Sequence, residues 1–511
     1  MRISDNSQLI LGAAACLGVV IAWAYRRKSQ SNLPLPPSPP TWKLGGHDLP
    51  EQHPSFTIGE WIDEYGPLIT LRSGFEKTVI VGRYKAAVDI LENQGRLTAD
   101  RPRMIAAGEM FHGGMAIGFA HWGERFRRMR RALHAHLQPK AAETYGPLQM
   151  SHVKNTVLGI LDDPQNFQSH VLAYTSTTIM KITYGKNTPT SATDPAVIAI
   201  RHFVKVGTAI VRPYAYLVDT IPWLKYVPWY GLDLKREYES VKKLNLSQLN
   251  RVKEQMQSDV DIGPSFARHI LENGYGLSET EMAFLGGSFF SAGSETTSIL
   301  ICTVFMAAAC FPEEQAKVQA ELDEVIGRHR APTFADQESL PRLQAFISEA
   351  LRWRPPLPTG AALRTDDDLA HQENYCIPAG TIVAGNHWQV LSISRDPDVF
   401  PEPDAFKPQR WIDDQGRLKD DFKVKLFVYG FGRRVCPGQH IANRSIFLNS
   451  LLIMWAFQLA LDPTKPLDDT GLMHGSMPDV MPCSIKFEKR IPESELRSMM
   501  EHYPETSPEK F

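Results

Sequence analysis

The chain has few cysteines and almost no net charge. Its 511 residues include six cysteines, and no two of them form a C-x-x-C pair or another spacing typical of zinc sites. This usage fits a reduced compartment such as the cytosol and argues against a disulfide-stabilised secreted protein. The formal net charge of −2 gives no support for nucleic acid as a partner.

Long runs without charge are also scarce, and the first lies near the N-terminus. Leu9–Tyr25 carries no charged residue and is followed at once by three basic residues. Its length is at the short end for spanning a bilayer and overlaps the size range of signal peptides. Because the positive charges follow the run, the positive-inside rule favours an uncleaved anchor with the rest of the chain in the cytosol. We therefore predict a membrane anchor at residues 1–28, with a single transmembrane helix at about 9–25.

Proline is concentrated in one short stretch after this anchor. Residues 34–40 read P-L-P-P-S-P-P, a semi-rigid spacer, and we predict a proline-rich linker over residues 29–50. Ile69–Gly82 has the pattern of two β-strands joined by a turn, and Tyr375–Val383 looks like a hairpin with a Pro-Ala-Gly turn. Most other segments have helical patterns. The sequence thus predicts a mainly α domain with a minor β region over residues 51–511.

The stretch around Cys436 carries the strongest chemical signal. Residues Tyr429–Gly438 read Y-G-F-G-R-R-V-C-P-G. Gly432 and Gly438 let the backbone turn tightly and approach a flat group, and Arg434 can reach a carboxylate. A helix predicted just after the cysteine would point its first amides at the sulfur and help to keep it deprotonated. The alternative is a buried structural cysteine in a glycine-rich turn.

A second chemical pair lies within a long apolar helix. Ser278 and Glu281 form a capping box that opens this helix, which runs to Phe311. In its middle, Glu295 and Thr296 belong to the segment A-G-S-E-T-T, whose small first residues leave room for a small ligand. A carboxylic acid beside a hydroxyl can relay protons into a dry cavity. The alternative is a threonine bonded to its own helix and a glutamate in an ordinary ion pair.

Together these patterns resemble the cytochrome P450 superfamily. The cysteine stretch is similar to the haem-ligand signature of that family, with Tyr429 where Phe is usual, and A-G-S-E-T-T is similar to its oxygen-activation motif. Glu349 and Arg352 form an E-x-x-R pair, and Arg410 follows in F-K-P-Q-R-W. The resemblance implies that these three residues form a buried structural triad, and it implies the cytochrome P450 fold.

The resemblance also implies a cofactor, haem b (iron protoporphyrin IX), and roles for the residues around it. The residues it assigns to the cofactor are Cys436 as axial iron ligand, Arg130, Arg364 and Arg434 at the propionates, and Tyr429, Gly432 and Gly438 in the ligand loop. Glu295 and Thr296 are then the catalytic pair. Arg130 belongs to an arginine-rich helix in which Phe126 stands where the family has Trp, and a solvated basic face is the alternative for that run.

The function implied is a monooxygenase that inserts one atom of O2 into an apolar small molecule. No flavin or nicotinamide domain fits in the remaining residues, so the expected partner is NADPH–cytochrome P450 reductase, with cytochrome b5 as an optional second donor. The sequence is similar to fungal secondary-metabolism members such as the O-methylsterigmatocystin oxidoreductase group. This favours terpenoid, polyketide or alkaloid biosynthesis at the endoplasmic reticulum membrane, with the catalytic domain in the cytosol.

Two alternatives stay open, and the expected substrate cavity is broad. One alternative is a reductase-independent haem-thiolate isomerase or peroxygenase, and the other is a non-catalytic haem sensor. The segments expected to line the cavity are Arg103–Gly118, Ser288–Phe290, Thr359–Leu363 and Met473–Met477.

Overall fold

The computed structural model describes most of the chain after the predicted anchor. The described residues are 33–43, 45–47, 49–50, 54–74, 76–186, 190–212, 215–258, 263–355, 362–371, 375–385, 393–419, 427–465, 467 and 483–504. The predicted anchor at 1–28, the predicted cavity segment Met473–Met477 and residues 359–361 of another such segment lie outside them.

Helices make up most of the described chain, which confirms the mainly helical fold class. The α-helices are α1 (Pro54–Tyr65), α2 (Tyr84–Ala87), α3 (Glu124–Leu137), α4 (Pro139–Thr144), α5 (Gly146–Asp162), α6 (Phe167–Tyr184), α7 (Pro195–Ile210), α8 (Leu232–Met256), α9 (Phe266–Asn273), α10 (Glu279–Cys310), α11 (Pro312–Val325), α12 (Pro341–Trp353), α13 (Gln439–Ala456) and α14 (Glu493–Glu501). Short π-helices lie at Val88–Asn93 and Ile105–Phe111. The 3-10 helices are Pro164–Asn166, Leu217–Asp219, Pro222–Tyr226, Phe334–Ser339, Ile393–Arg395, Pro408–Trp411, Phe427–Tyr429 and Gly432–Arg434.

The described strands form three small sheets. They are β1 (Leu68–Ser73), β2 (Glu76–Val81), β3 (Leu363–Arg364), β4 (Leu369–His371), β5 (Tyr375–Ile377), β6 (Ile382–Gly385), β7 (Phe457–Leu461) and β8 (Ile485–Lys489). The largest sheet has the order β1-β2-β6-β3, in which only the β2–β6 pair is parallel. The pairs β4–β5 and β7–β8 are antiparallel. The early two-stranded unit is therefore present as predicted.

The hairpin predicted over Tyr375–Val383 is wrong. β5 pairs with β4, whereas β6 lies between β2 and β3, so the strands on either side of the Pro-Ala-Gly turn belong to different sheets. Thr365 holds this turn, since its hydroxyl donates to Pro378 O at 2.7 Å and its amide donates to Thr381 O at 3.0 Å. The local pattern reveals the strands and the turn, but strand pairing depends on residues elsewhere in the chain.

Helix α10 runs through the core of the protein. The Ser278 hydroxyl accepts from the Glu281 amide and the Glu281 carboxylate accepts from the Ser278 amide, which is the predicted capping box. The helix spans 32 residues and packs against α6, α8 and α13. It is long and apolar enough to cross a membrane, but most of its apolar stretch is buried inside the protein. That burial is typical of a core helix.

Candidate active site

Cys436 lies in the turn that leads into α13. The 3-10 turn Gly432–Arg434 precedes it, and the helix begins three residues after it, at Gln439. The Cys436 amide donates to Tyr429 O at 2.8 Å and closes the loop. The thiol is free of any disulfide, and the backbone amides of Gly438 and Gln439 form hydrogen bonds to it. The first amides of a helix have no partner within the helix, and here they form their hydrogen bonds with the sulfur.

Burial decides the protonation of this thiol. Removal from water raises the pKa of Cys436 above its ordinary value, and the Gly438 and Gln439 amides and the charge of Arg130 offset only part of this rise. The predicted contribution of the helix is present, because its amides lower the pKa of Cys436, but burial outweighs it in the free thiol. A bound metal ion would supply the missing stabilisation, because a coordinating thiol is deprotonated outright.

Two of the predicted cofactor arginines contact the backbone around this loop. Arg130, on α3, donates from Nη1 to Val435 O at 3.0 Å, beside the cysteine. Arg434 donates from Nε to Ala99 O at 2.6 Å and from Nη2 to Ala120 O at 2.7 Å. These bonds fix both guanidinium groups, with Arg130 close enough to the thiol to affect its pKa, and they leave other N–H donors available.

A cluster of charges surrounds Arg434. Its members are Arg101, Arg130, Arg364 and Arg434, with Asp100 and Asp366 as the acids. Burial, and then the charge of Arg101, lower the pKa of Arg434 to about 9. Burial raises the pKa of Asp366, and Arg364 and Arg434 oppose that rise, which shows that both arginines lie near it. The structure thus brings the three predicted propionate arginines to one place, where positive charge is in excess.

Phe126, which stands where the family has tryptophan, contacts Arg434, one of the predicted cofactor arginines. It is buried on α3, one helical turn before Arg130. The guanidinium carbon of Arg434 lies 3.8 Å from the centroid of the Phe126 ring, within the range of a cation–π contact. The face of the Phe126 ring therefore orients the Arg434 guanidinium group, but unlike a tryptophan this residue donates no hydrogen bond.

The two glycines of the cysteine loop have different tasks. Gly432 has a φ of +45°, and a Cβ there would lie 2.6 Å from Leu91 O, so backbone packing requires glycine. Gly438 has an ordinary φ of −85°, and a Cβ there would lie 3.9 Å from Cys436 Sγ. Gly432 therefore serves the packing of the loop, whereas Gly438 leaves space beside the sulfur.

One face of the buried helix α10 is accessible. The accessible residues in its middle are Ser288, Ser291, Ala292, Gly293, Glu295 and Thr296. Ser288, Glu295 and Thr296 lie three or four residues from Ala292 and so share its face. We interpret this accessible face on a core helix as the wall of a cavity. The predicted acid and alcohol both belong to this face.

The predicted acid and alcohol each have a protein partner. The Thr296 hydroxyl donates to Ala292 O at 2.6 Å, and Glu295 forms an ion pair of 3.3 Å with Arg201 on α7. These are the contacts of the structural alternative considered for this pair. They leave the chemistry open, because the Thr296 oxygen keeps lone pairs that can accept a hydrogen bond. The Glu295 side chain remains 17% exposed.

Three neighbours of this pair differ from their expected roles. A Cβ on Gly293 would lie 3.1 Å from Ile179 on α6, so this glycine permits close helix packing. The small side chain that leaves room for a ligand is therefore that of Ala292. Phe289 and Phe290, expected to line the cavity, are buried in the core, where Phe289 packs edge-on against another ring. Of the segment Ser288–Phe290, only the serine lies on the accessible face.

The carboxylate of Glu349 lies at the centre of the buried triad. Arg352, also on α12, donates to it from Nε and Nη2 at 2.9 and 2.8 Å, and Arg410 donates from Nε at 3.1 Å. The Trp411 indole and the Lys407 amide add bonds of 2.9 and 2.8 Å. The structure therefore brings the three predicted residues together and adds two donors from the same F-K-P-Q-R-W segment.

Two arginines that the sequence analysis missed belong to the site. Arg101 donates to Gly118 O at 3.1 Å and to Ala362 O at 2.6 Å, and burial lowers its pKa to about 10. Arg201 holds Glu295. Neither stands in a recognised motif, and each meets a partner far along the chain. A local pattern therefore could not identify them.

These residues fit a haem group. Haem iron needs a single protein ligand on one face, and Cys436 offers one thiol with open space beside Gly438. Among the described residues, no group of three or more His, Cys, Asp or Glu could hold a metal ion by itself. The excess of arginines beside the thiol suits a group that carries two carboxylates.

Comparisons with known proteins identify the family of the chain. The family model described as Cytochrome P450 matches residues 35–480. Cytochrome P450 monooxygenase 113 of Postia placenta is 42% identical over 494 residues, covering 95% of this chain and 98% of the relative. Cytochrome P450 monooxygenase 88 of the same fungus is 44% identical over 464 residues, covering 90% and 92%. A cytochrome P450 monooxygenase of Armillaria gallica is 34% identical over 499 residues, covering 93% and 94%. The chain therefore belongs to the cytochrome P450 family and is a P450 monooxygenase.

Proposed function

We propose that the protein is a membrane-anchored haem b monooxygenase that inserts one atom of O2 into an apolar small molecule during fungal secondary-metabolite biosynthesis. The observation that supports this proposal most is the pairing of two features. A single thiol, Cys436, lies among arginines at the start of α13, and the core helix α10 presents Glu295 and Thr296 on an accessible face.

Four residues hold the cofactor in this proposal. Cys436 is the axial ligand, and Arg130, Arg364 and Arg434 pair with the propionates, which their clustered charge favours. When bound through a thiolate, haem supplies the oxygen chemistry, since the electron-rich sulfur favours cleavage of the O–O bond. The Gly438 and Gln439 amides hold the sulfur in place from the proximal helix.

Glu295 and Thr296 deliver protons into the cavity. The Thr296 hydroxyl, which donates to Ala292 O, can accept a proton on a free lone pair and release its own toward the cavity, and so can act as a relay. Glu295 lies beside it and contacts Arg201, whose side chain is 43% exposed, so this pair links the cavity wall to the outside. A carboxylate at that position can take a proton from solvent and pass it inward.

Electrons come from NADPH–cytochrome P450 reductase, with cytochrome b5 as an optional second donor. Helix α3 offers a basic surface for such a partner. Arg127 and Arg131 are 51% and 65% exposed, although each also pairs with Glu124 on the same helix. Complementary charge of this kind steers an acidic partner and sets its orientation.

The endoplasmic reticulum membrane is the proposed location, with the catalytic domain in the cytosol. An exposed apolar patch in the described part of the chain supports contact with a bilayer. Its residues are Leu217, Trp223, Tyr226, Trp229 and Leu232, which are between 50% and 76% exposed. Trp and Tyr favour the interface between membrane and water, because their rings are apolar and their tips are polar. The predicted anchor at 9–25 would hold this patch near the same membrane.

The test is turnover in the presence of labelled O2. The protein and a fungal P450 reductase would be co-expressed, and microsomes would be supplied with terpenoid, polyketide and alkaloid intermediates. We expect NADPH-dependent products that carry one labelled oxygen atom. Products formed with peroxide but without reductase, or haem binding without any oxygenated product, would instead support the isomerase, peroxygenase or sensor alternatives. Cys436→Ser should abolish both the products and the haem-thiolate absorption band of the reduced, CO-bound protein.

A further inference from the structure

His112 is a polar side chain in an otherwise aromatic wall. It follows the π-helix Ile105–Phe111 directly. Its ring lies between Phe111, Phe119 and Phe203, with centroids 4.9, 5.0 and 5.1 Å away. Within the described part of the chain no ion pair accounts for a histidine here, and a fourth phenylalanine would satisfy the packing.

The tautomer of His112 is fixed by its backbone partner. Its Nδ1 lies 2.8 Å from Ala107 O. A carbonyl oxygen only accepts, so Nδ1 carries the proton and Nε2 is left as an acceptor. Burial lowers the pKa of His112 to about 4, which keeps the ring neutral at physiological pH. Among the described residues, no second hydrogen-bond partner of the ring is found.

The backbone around His112 holds this acceptor in a fixed position. The Asp219 carboxylate accepts from the Ile105 and Ala106 amides at 2.6 and 3.1 Å and so anchors the start of the π-helix. Gly113, which follows the histidine, has a φ of +59°, and a Cβ there would clash with the Tyr238 ring on α8. The ring therefore cannot turn away easily when its Nε2 lacks a partner.

The ring lies between two segments that carry residues of the site already described. Phe119 stands between Gly118 and Ala120, whose carbonyl oxygens accept from Arg101 and Arg434. On the other side, Phe203 belongs to α7, the helix whose Arg201 holds Glu295. His112 is shielded enough to lose its charge, yet part of its surface is accessible. This combination is typical of a side chain that lines a cavity.

We propose that His112 Nε2 accepts a hydrogen bond from a hydroxyl group of the substrate, so that the enzyme acts on an apolar molecule that already carries an alcohol. This inference rests on the proposed function, because it concerns the substrate of the same site. An acceptor that is partly shielded from water gains from a partner, and a site built to bind a hydroxyl discriminates against the analogue that lacks it. The substrate would thus be the product of a reaction that introduces or exposes a hydroxyl group on a hydrocarbon skeleton.

The test compares two pairs of probes that differ only in the donor. Farnesol is matched with farnesyl methyl ether, and dodecan-1-ol with dodecyl methyl ether. Binding to the purified, haem-loaded protein is followed by the shift of the haem absorption band. The variants are His112→Phe, which keeps a ring, and His112→Gln, which keeps an acceptor. His152→Phe is the control, because His152 is also buried and neutral but bonds Thr178, between α5 and α6.

We expect the unaltered protein to bind at least one alcohol about five- to tenfold more tightly than its ether. His112→Phe should abolish this preference with little change in ether binding, His112→Gln should retain part of it, and His152→Phe should retain all of it. Equal responses to alcohol and ether in the unaltered protein, including no response to either, would overturn the proposal. An equal loss of both in His112→Phe, or an alcohol preference that survives in it, would overturn it too. If the unaltered protein shows no haem-thiolate absorption band, the proposed function itself is refuted.

Discussion

Replacing Glu349 with alanine should unfold the protein or leave it unable to hold haem. The Glu349 and Arg352 side chains are completely buried, and Arg410 is 11% exposed. Removing one partner of a buried ion pair costs roughly 3–5 kcal/mol, because the other charge is left uncompensated. The Trp411 indole and the Lys407 amide would each lose a partner as well, at about 1–3 kcal/mol each. The total is comparable with the stability of a whole protein, about 5–15 kcal/mol.

The assay measures soluble yield, haem content and the midpoint of denaturation followed by circular dichroism. Glu272→Ala is the matched control, since Glu272 forms an exposed pair with Arg268 one helical turn away. We expect that control to change stability by roughly 0.5 kcal/mol or less. Glu349→Gln should fall between the two, because it keeps an acceptor but loses the charge. If Glu349→Ala unfolds at the same midpoint as Glu272→Ala, the argument that this carboxylate holds the core is refuted.

Three further predictions concern the cofactor and the cavity. Thr296→Ala should lower product formation roughly ten- to a hundredfold with substrate binding intact, and Thr296→Ser should restore most of it, as measured by steady-state turnover. Arg434→Gln should speed the transfer of haem to apomyoglobin about tenfold, whereas the exposed Arg433→Gln should not. Tyr429→Phe removes a bond of 2.5 Å to Asn443 Oδ1 and should lower stability by about 1 kcal/mol with an unchanged haem-thiolate band, as measured by denaturation and spectroscopy.

Features that depend on neighbouring residues could be predicted from the sequence. The capping box at Ser278 is complete within four residues, and the structure contains it as predicted. Helix α13 begins at Gln439 because Pro437 and Gly438 end the cysteine loop there. The E-x-x-R spacing places Glu349 and Arg352 on one helical face, where they bond each other. In each case a helical turn brings the partners together before any tertiary contact forms.

Contacts between distant parts of the chain could not be predicted in this way. Arg201 and Glu295 are paired across two helices, and Arg101 bonds Ala362 on the far side of the site. The residues around Pro378 have the pattern of a hairpin, yet their strands join different sheets. Sequence patterns identify such elements, but the choice of partner is settled by the packing of the whole domain.

The pKa of Cys436 shows a different limit, which concerns magnitude. The sequence correctly suggests helix amides near the sulfur, and these lower its pKa, as does the charge of Arg130. It does not reveal how deeply the sulfur is buried, and burial outweighs them. A motif can therefore identify the forces on a group without giving their balance.

The described residues include one arginine cluster around Glu349 and another around Arg434. Around Glu349, one buried carboxylate bonds both Arg352 and Arg410, and carbonyl oxygens accept from their other nitrogens, so two arginines share one acid. Beside Cys436, four arginines face two aspartates, an excess of two positive charges. The excess of positive charge is therefore larger beside Cys436, and an outside anion bound there would reduce it. The two carboxylates of a haem held as we propose would balance this excess, so haem binding would stabilise the fold as well as complete the iron site.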